Sequence, residues 1–150
     1  PRVVRAGGGT DRAVKTRVYF GGSLRAREAI RDLVSRLPEG VHSMSSWLWM
    51  DINPDRRPDQ IIHGATTDLK DISQSDVFVQ CFPHVASTTG GVNTELGIAL
   101  GLGLHIIVFG AKDGPIASWG RRHNIFHWLE QVNFIDTQER LFDALTALRK

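Results

Sequence analysis

The chain has 150 residues, of which 41% are hydrophobic and 23% are charged. This size and balance fit one globular domain with a single core, and they exclude intrinsic disorder. The single cysteine, Cys81, excludes an intrachain disulfide framework and a multi-cysteine zinc site. No apolar run approaches the roughly 20 residues that cross a bilayer, and no signal peptide is visible. We therefore predict a cytoplasmic protein with no membrane partner.

The formal net charge of +2 is unevenly distributed along the chain. Residues 1–17 carry five basic side chains and one acidic side chain, which leaves 13 basic and 15 acidic side chains for the remainder. Because a polynucleotide-binding surface carries its positive charge on the folded body, we predict no polynucleotide partner. Residues 1–16, which include Gly7–Gly9, are predicted to be a flexible basic lead-in, and residues 17–150 to form the domain.

After the lead-in, short apolar runs alternate with segments of helical spacing. The predicted strands are Arg17–Gly21, Val41–Leu48, Asp76–Phe82, His105–Phe109 and Val132–Ile135. The predicted helices are Leu24–Leu37, a helix capped by Thr67 and Asp68 that runs to about Ser75, Asn93–Leu102, Ile125–Leu129 and Thr137–Leu148, with Asp51–Pro58 as a loop. The alternation predicts an α/β flavodoxin-like domain, a doubly wound five-stranded parallel sheet with helices on both faces.

In such sheets, ligands bind at the carboxyl ends of the strands. The first candidate segment is the turn after strand one, where Gly21 and Gly22 precede Ser23. The N–H groups at the start of the next helix favour an anion, and Arg25 and Arg27 can add contacts to a phosphate. The alternative is an ordinary strand–helix turn, with Ser23 as a cap and two solvated arginines.

The second candidate segment, Gly90–Gly97, follows the central strand and places Glu95 in the first turn of a helix. Its alternative is a carboxylate stabilised by the helix dipole. Asp68 and Asp71, on the preceding helix, are by themselves a cap and a solvated carboxylate. Two carboxylates that face one pocket are, however, the minimum requirement for cleaving a glycosidic bond. The apolar helix after Glu95 is predicted to be buried, and three glycines are predicted to let it pack closely on the sheet: Gly97, Gly101 and Gly103.

The remaining reactive residue types give weaker signals. The six histidines show no metal-ligand spacing, so no metal is predicted, and His123 and His127 are assigned to a surface or an interface. Cys81 is predicted to be a small apolar residue inside a strand. Trp47 is a candidate for stacking on a base, with core packing as its alternative.

Taken together, these motifs resemble the nucleoside 2-deoxyribosyltransferase superfamily, including its 2′-deoxynucleoside 5′-phosphate N-hydrolase branch. The similar pieces lie between about Arg17 and Asp136: Tyr19–Arg25, the spacing of Asp68-Leu69 to Ser75-Asp76, Gly91–Gly97, Ile106–Gly110 and Asn124–Phe126. The resemblance implies that Glu95 is a nucleophile that forms a glycosyl–enzyme intermediate. It also implies that Asp68 assists departure of the base and that Tyr19 positions Glu95.

A set of substrate- and phosphate-binding candidates completes the predicted site: Gly22, Ser23, Leu24, Arg25, Ser87, Thr89, Gly91 and Asn93. Ser23 and Arg25 match positions that contact a 5′-phosphate in the hydrolase branch. Transferases of the superfamily often carry an aspartate six residues before the nucleophile, where this chain has Thr89. Neutral hydroxyls near an anion-favouring turn suit a phosphate, so this departure favours a nucleotide substrate.

The resemblance thus implies an enzyme that cleaves the N-glycosidic bond of a 2′-deoxynucleoside or its 5′-monophosphate and transfers the sugar to another base or to water. It implies no cofactor, and a homo-oligomer in which a second copy completes the pocket. One alternative is a non-catalytic nucleotide-binding or sensing module on the same fold. Another is a phosphoribohydrolase that releases a base from a ribonucleotide. Gly90–Glu95 matches its Pro-Gly-Gly-x-Gly-Thr-x-x-Glu motif loosely, without the proline and with Glu95 two residues early.

Overall fold

The computed structural model describes residues 15–51, 57–83, 90–110 and 125–148. The strands are β1 (Thr16–Gly21), β2 (Val41–Ser43), β3 (Val77–Cys81), β4 (His105–Phe109) and β5 (Val132–Ile135). The α-helices are α1 (Arg27–Ser35), α2 (Pro58–Ser73), α3 (Gly91–Gly101) and α4 (Gln138–Ala147). Short 3₁₀ turns occur at Leu24–Ala26, Ser46–Leu48 and Ile125–Trp128. Residues 1–14, most of the predicted lead-in, lie outside the described residues.

All five strands are parallel, and their order across the sheet is β2-β1-β3-β4-β5. This is the flavodoxin-like order, so the predicted fold is confirmed. The chain passes from β1 to β2 in one direction and from β3 to β5 in the other. Right-handed crossovers therefore place helices on both faces, and a crevice opens where the direction reverses, at the carboxyl ends of β1 and β3.

The pairing of β1 with β3 determines which side chains share the crevice. Tyr19 lies opposite Phe78, and Gly21 lies opposite Gln80. Because side chains alternate between the faces of a strand, these four residues point to the same face of the sheet. The rings of Tyr19 and Phe78 stack with their centroids 5.8 Å apart and an interplanar angle of 13°. Both rings are fully buried, which holds Tyr19 rigidly beneath the crevice.

The segment after β2 differs from the predicted strand Val41–Leu48, because the strand ends at Ser43. Beyond Ser43, side chains replace the backbone hydrogen bonds that a longer β2 would make to β1. The N–H of Phe20 donates to Ser45 Oγ at 2.6 Å, and Trp47 Nε1 donates to the carbonyl of Phe20 at 2.8 Å. Polar contacts thus satisfy the backbone of β1 where β2 stops, and the 3₁₀ turn Ser46–Leu48 packs on the core.

Helix α2 begins nine residues earlier than the predicted cap at Thr67. Pro58 occupies its first position, and the side chain of Gln60 accepts a hydrogen bond from the N–H of Arg57 at 3.1 Å. Thr67 and Asp68 therefore lie inside the helix, and the predicted loop ends where the helix starts. Asp71 is buried rather than solvated, since its Oδ2 accepts the N–H of Ser46 at 2.8 Å.

The apolar sequence of helix α3 had indicated that the helix is buried. The structure contradicts this prediction. Only Leu96 and Ala99 are fully buried, while Leu102, directly after the helix, is 53% exposed. A Cβ atom added at Gly97 or Gly101 would meet no atom within 4 Å, and the same holds at Gly103. The prediction that these glycines permit close helix–sheet packing is therefore wrong, because they face away from the sheet.

The carboxyl-terminal elements agree with the predicted ones. The observed β4 and β5 have the predicted bounds. Thr137 caps α4, since its side chain accepts the N–H of Arg140 at 3.3 Å. Cys81 is buried in β3, as its apolar neighbours had indicated.

The side-chain hydrogen bonds to the backbone of Phe20 give a testable prediction. Replacing Trp47 with phenylalanine leaves the buried carbonyl of Phe20 without its indole donor, and we expect it to lower the free energy of unfolding by about 1–3 kcal/mol. The matched control is Trp49→Phe at a side chain that is 63% exposed, for which we expect a loss below about 1 kcal/mol. Urea unfolding measures both variants, and equal losses would contradict the structural role of Trp47.

Candidate active site

Three sequence-predicted residues meet at the crevice. Tyr19, near the end of β1, donates its hydroxyl hydrogen to Glu95 Oε1 at 3.2 Å. Asp68, on α2, is close enough to raise the pKa values of both Tyr19 and Glu95 through its charge, and it also shares a hydrogen bond with Tyr19. Two carboxyl groups and a phenol from three elements thus lie together at the topological switch point.

The carboxylate of Glu95 occupies space that a side chain on Gly21 would fill. A Cβ atom at Gly21 would lie 2.8 Å from Glu95 Oε2 and 3.0 Å from the ring of Phe78. The adjacent Gly22 has a different role, because a Cβ atom there would lie 2.4 Å from the end of Ile30 on α1. The absence of a side chain at Gly21 thus leaves room for the Glu95 carboxylate, and its absence at Gly22 leaves room for α1. Sequence reasoning missed the role of Gly21, although the glycine pair that ends β1 was its signal.

Burial and the neighbouring carboxylate determine the protonation of the site. Burial, followed by the charge of Asp68, raises the pKa of Glu95 from its ordinary 4.5 to about 8, while the hydrogen bond from Tyr19 opposes this rise. Burial and the charges of Glu95 and Asp68 raise the pKa of Tyr19 far above its usual range. Tyr19 therefore remains a protonated donor, whereas Glu95 exchanges its proton close to neutral pH.

Glu95 Oε2 and Ser23 Oγ are buried and have no hydrogen-bond partner in the part of the chain that the structure describes. Buried polar atoms are nearly always paired in folded proteins, and an unpaired one marks a place where a ligand or water completes the contact. Ser23 precedes the first 3₁₀ turn, but its side chain makes no capping hydrogen bond, in contrast to the alternative of a plain serine cap.

The two arginines in the turn after β1, Arg25 and Arg27, differ in their contacts. Arg25 is exposed beside Ser23, as is the side chain of Leu24. Arg27 instead donates to the carbonyls of Leu48 and Met50, which ties the segment after β2 to the start of α1. Of the two arginines considered for phosphate contact, the structure therefore leaves Arg25 at the surface of the turn and gives Arg27 a bracing role.

The other substrate-binding candidates are only partly placed. Gly91 and Asn93 are exposed in the first turn of α3. Glu95 was predicted to lie in that turn, but α3 begins at Gly91, two residues earlier than predicted, so Glu95 follows the first turn. The amide oxygen of Asn93 lies 3.5 Å from Nε2 of Gln80, a buried β3 residue that sequence reasoning did not single out. Ser87 and Thr89 lie outside the described residues.

Trp47 lies in the core rather than at the crevice. It is 8% exposed and its indole N–H is bonded to the backbone, which favours the core-packing alternative over base stacking. Trp49 is the exposed indole of this segment, and the guanidinium of Arg31 lies 5.1 Å from its ring centroid.

His127 also differs from expectation, because it is buried to 2% exposure instead of lying at a surface. Its Nε2 atom is 2.6 Å from Oε1 of Gln80. His123 lies outside the described residues. No group of three or more histidine, cysteine or acidic side chains able to hold a metal ion occurs within the described ranges. No helix in those ranges is long and apolar enough to cross a membrane.

A second cavity lies at the opposite edge of the sheet. It has a volume of about 590 Å³ and is lined by the first residues of β1, β3 and β4, including Arg17, Asp76 and His105. The Arg17–Asp76 ion pair of 2.7 Å occupies this edge. Because Tyr19, Asp68 and Glu95 meet at the crevice on the carboxyl side, we assign the candidate active site there and not to this cavity.

No protein-family model matches the chain, and no curated protein matches its sequence. The structure is similar to that of a conserved protein from Enterococcus faecalis V583, with 16% identity and a TM-score of 0.58 over 89% of this chain and 99% of that one. It is also similar to the CMP N-glycosidase BcmB from Clostridium botulinum, with 21% identity and a TM-score of 0.53 over 88% of this chain and 99% of that one. At these identities the likeness shows a shared fold over nearly the whole length of both proteins.

The raised pKa of Glu95 predicts that ionisation of its carboxylate lowers the stability of the folded protein. Its pKa is near 4.5 in the unfolded chain and about 8 in the folded one, so the folded state loses stability as pH rises from 4.5 to 8. Glu95→Gln removes this titration and keeps an acceptor for Tyr19. We expect it to be more stable than the unaltered protein by a few kcal/mol at pH 8 and by little at pH 4.

Thermal or urea unfolding at several pH values between 4 and 9 measures this difference. Glu130→Gln, at an exposed position, is the matched control and should show no such trend. A Glu95→Gln protein that is no more stable at pH 8 than at pH 4, relative to the unaltered protein, would show that the Glu95 carboxylate is well solvated.

Proposed function

We propose that the protein cleaves the N-glycosidic bond of a 2′-deoxynucleoside or its 5′-monophosphate, as a member of the nucleoside 2-deoxyribosyltransferase superfamily. The observation that carries the proposal is the hydrogen bond from Tyr19 to Glu95, beside Asp68, at the switch point of the sheet. The shared fold with a CMP N-glycosidase supports the same class of reaction. CMP is a ribonucleotide, so ribonucleotides are included among the substrates to be tested.

In the proposed mechanism Glu95 is the nucleophile. Tyr19 holds Oε1, which leaves the buried Oε2 atom to attack the sugar. A bond forms between Oε2 and C1′ while the bond between C1′ and the base nitrogen breaks, and the electron pair of that bond leaves with the base. Water or a second base then attacks C1′ from the opposite side and releases the carboxylate, so that two inversions give retention.

Asp68 handles the proton of the leaving base in this mechanism. The two neighbouring carboxyl groups repel each other's charge, so one proton shared between them is favoured near neutral pH. In the reactive form Glu95 is the anion, and Asp68 carries the proton and gives it to the departing base. The pair thereby supplies both a nucleophile and an acid from groups of the same chemical type.

A 5′-phosphate fits the turn after β1. Ser23 Oγ is buried without a partner among the described residues, and the exposed Arg25 is two residues further on. Backbone N–H groups from Gly22 and Leu24 complete the proposed anion site, and Ser87, Thr89, Gly91 and Asn93 remain proposed as further substrate-binding residues. A hydroxyl, a guanidinium and helix-start N–H groups together suit one dianionic group.

We also propose that a second copy of the chain covers the outer faces of the two helices that carry Asp68 and Glu95. Ile62 and Leu69 on α2 are exposed, as is Leu102 directly after α3. Gly97 and Gly101 leave the α3 surface flat. Apolar side chains gathered on neighbouring helices favour association over solvent exposure.

Turnover tests the central proposal. We expect the protein to release free base from at least one member of a panel of deoxynucleosides, their 5′-monophosphates and CMP, and a second base in the mixture reveals any transfer. Chromatography of the bases measures both products. Because the reactive form holds one proton shared by Glu95 and Asp68, the rate should fall as pH rises above about 8, where the pair loses that proton, and Glu95→Gln should lower kcat by at least about a thousandfold.

Glu130→Gln is the control and should retain the unaltered rate. Binding of a nucleotide without base release would instead establish the non-catalytic module. Base release that survives Glu95→Gln would contradict the covalent mechanism while leaving the reaction in place.

The proposed phosphate site makes a separate prediction about selectivity. Ser23→Ala and Arg25→Ala should lower kcat/KM for 5′-monophosphates by roughly tenfold or more each, because each removes a charge-assisted contact of about 1.5–3 kcal/mol. They should change kcat/KM little for the free nucleosides. Steady-state kinetics on matched nucleoside and nucleotide pairs measures the difference, and equal losses on both substrates would rule out a phosphate at this turn.

A further inference from the structure

Three polar side chains form a string beside the candidate nucleophile. Nε2 of His127 lies 2.6 Å from Oε1 of Gln80, and Nε2 of Gln80 lies 3.5 Å from Oδ1 of Asn93. Gln80 is 3% exposed and His127 is 2% exposed. Buried polar groups are costly unless they are paired, so the Gln80–His127 contact is an integral part of the core. The Gln80–Asn93 contact is part-buried and extends from the core to the exposed Asn93.

The string reaches the first turn of α3 from the side. Gln80 is paired in register with Gly21, the residue above which the carboxylate of Glu95 lies. Asn93 is the third residue of α3 and Glu95 is the fifth, so the first turn of the helix directly precedes Glu95. Gln80 is therefore the lateral neighbour of the nucleophile's position on the sheet, and Asn93 joins it to the helix that carries the nucleophile.

Donor and acceptor chemistry gives the string a direction. Gln80 Nε2 donates to Asn93 Oδ1, which leaves Gln80 Oε1 facing His127 Nε2. With these amide orientations Gln80 Oε1 accepts, and His127 Nε2 carries the hydrogen. The ring of His127 is itself held, since it meets Phe134 edge-on with the centroids 5.9 Å apart. His127, in the 3₁₀ turn Ile125–Trp128 that follows β4 along the chain, thus determines how the Gln80 amide is oriented.

We infer that His127 is a positioning residue of the site, which acts through Gln80 on Asn93 and on the first turn of α3. It keeps the Asn93 amide in one orientation towards the substrate and keeps the first turn of α3, which directly precedes Glu95, from fraying. The role in turnover rests on the proposed function, whereas the ordering of the α3 turn does not. Small misplacements of reacting groups cost on the order of a hundredfold in rate, which is the scale on which such a residue acts.

Hydrogen exchange tests the ordering of α3 without reference to activity. His127→Phe keeps an edge-on ring against Phe134 but removes the donor, and we expect faster amide exchange at residues 93–96 by at least about threefold. His127→Gln places an amide nitrogen near the original Nε2 position and should restore slow exchange. His105→Phe, at an exposed histidine on the opposite edge of the sheet, is the control and should change nothing there.

Kinetics tests the path through Asn93. His127→Phe should lower kcat/KM on the order of tenfold or more, and His127→Gln should recover most of it. Asn93→Ala should lower kcat/KM as well, and adding His127→Phe to Asn93→Ala should cause less than a twofold further loss, because the two changes interrupt one string. A merely structural histidine would give independent, multiplied losses.

Each outcome decides the inference. Unchanged exchange in His127→Phe, unrescued exchange in His127→Gln, or multiplied kinetic losses would each overturn it. If His127→Phe does not fold, as judged by circular dichroism, Gln80→Met takes its place, since it keeps the side-chain length and removes both contacts. If the unaltered protein releases no base from any nucleotide, the proposed function fails, and the exchange comparison still decides whether His127 orders the α3 turn.

Discussion

The hydrogen bond between Tyr19 and Glu95 joins the centre of the sheet to α3, and the geometry of the site depends on it. A carboxylate in that place is desolvated, which is why its pKa rises to about 8. The structure tolerates it because Tyr19 is fixed by its stack on Phe78 and donates from a phenol whose own pKa is raised further. The buried Tyr19–Phe78 pair at the centre of the sheet thereby holds a carboxylate whose ionisation is costly.

The topology explains why this pair forms at one end of the molecule. The strand order reverses between β1 and β3, so the connections that follow these two strands lead to opposite sides of the sheet. Gly21 then provides the space that the Glu95 carboxylate occupies, and the register places Gln80 beside it. The segment after β2 braces this arrangement, because Arg27 ties it to α1 and Trp47 ties it to β1.

The fold could be predicted from the alternation of apolar runs and helical spacing, because a parallel sheet imposes that alternation directly. The meeting of Tyr19, Glu95 and Asp68 could be predicted only through the family resemblance, since nothing local relates strand one to positions 68 and 95. Long-range pairings escaped local reasoning. The burial of Asp71 and His127 depends on partners 25 and 47 residues away, and the start of α2 depends on Pro58, which read equally well as part of a loop. The apolar sequence of α3 indicated burial because composition does not distinguish the core from a surface that another molecule covers.

The stability cost of Glu95 and its proposed chemistry have one physical origin. As the bond to the base breaks, positive charge develops on the sugar ring, and a desolvated anion interacts with that charge far more strongly than a solvated one. In the free protein burial and the charge of Asp68 disfavour the same anion, and the pKa of Glu95 rises in consequence. A site that destabilises its carboxylate in the ground state therefore stabilises the transition state selectively, which is the condition for raising kcat and not only affinity. Replacement by glutamine should accordingly act in opposite directions on stability and on rate, whereas a carboxylate with a purely structural role would lower stability when it is removed.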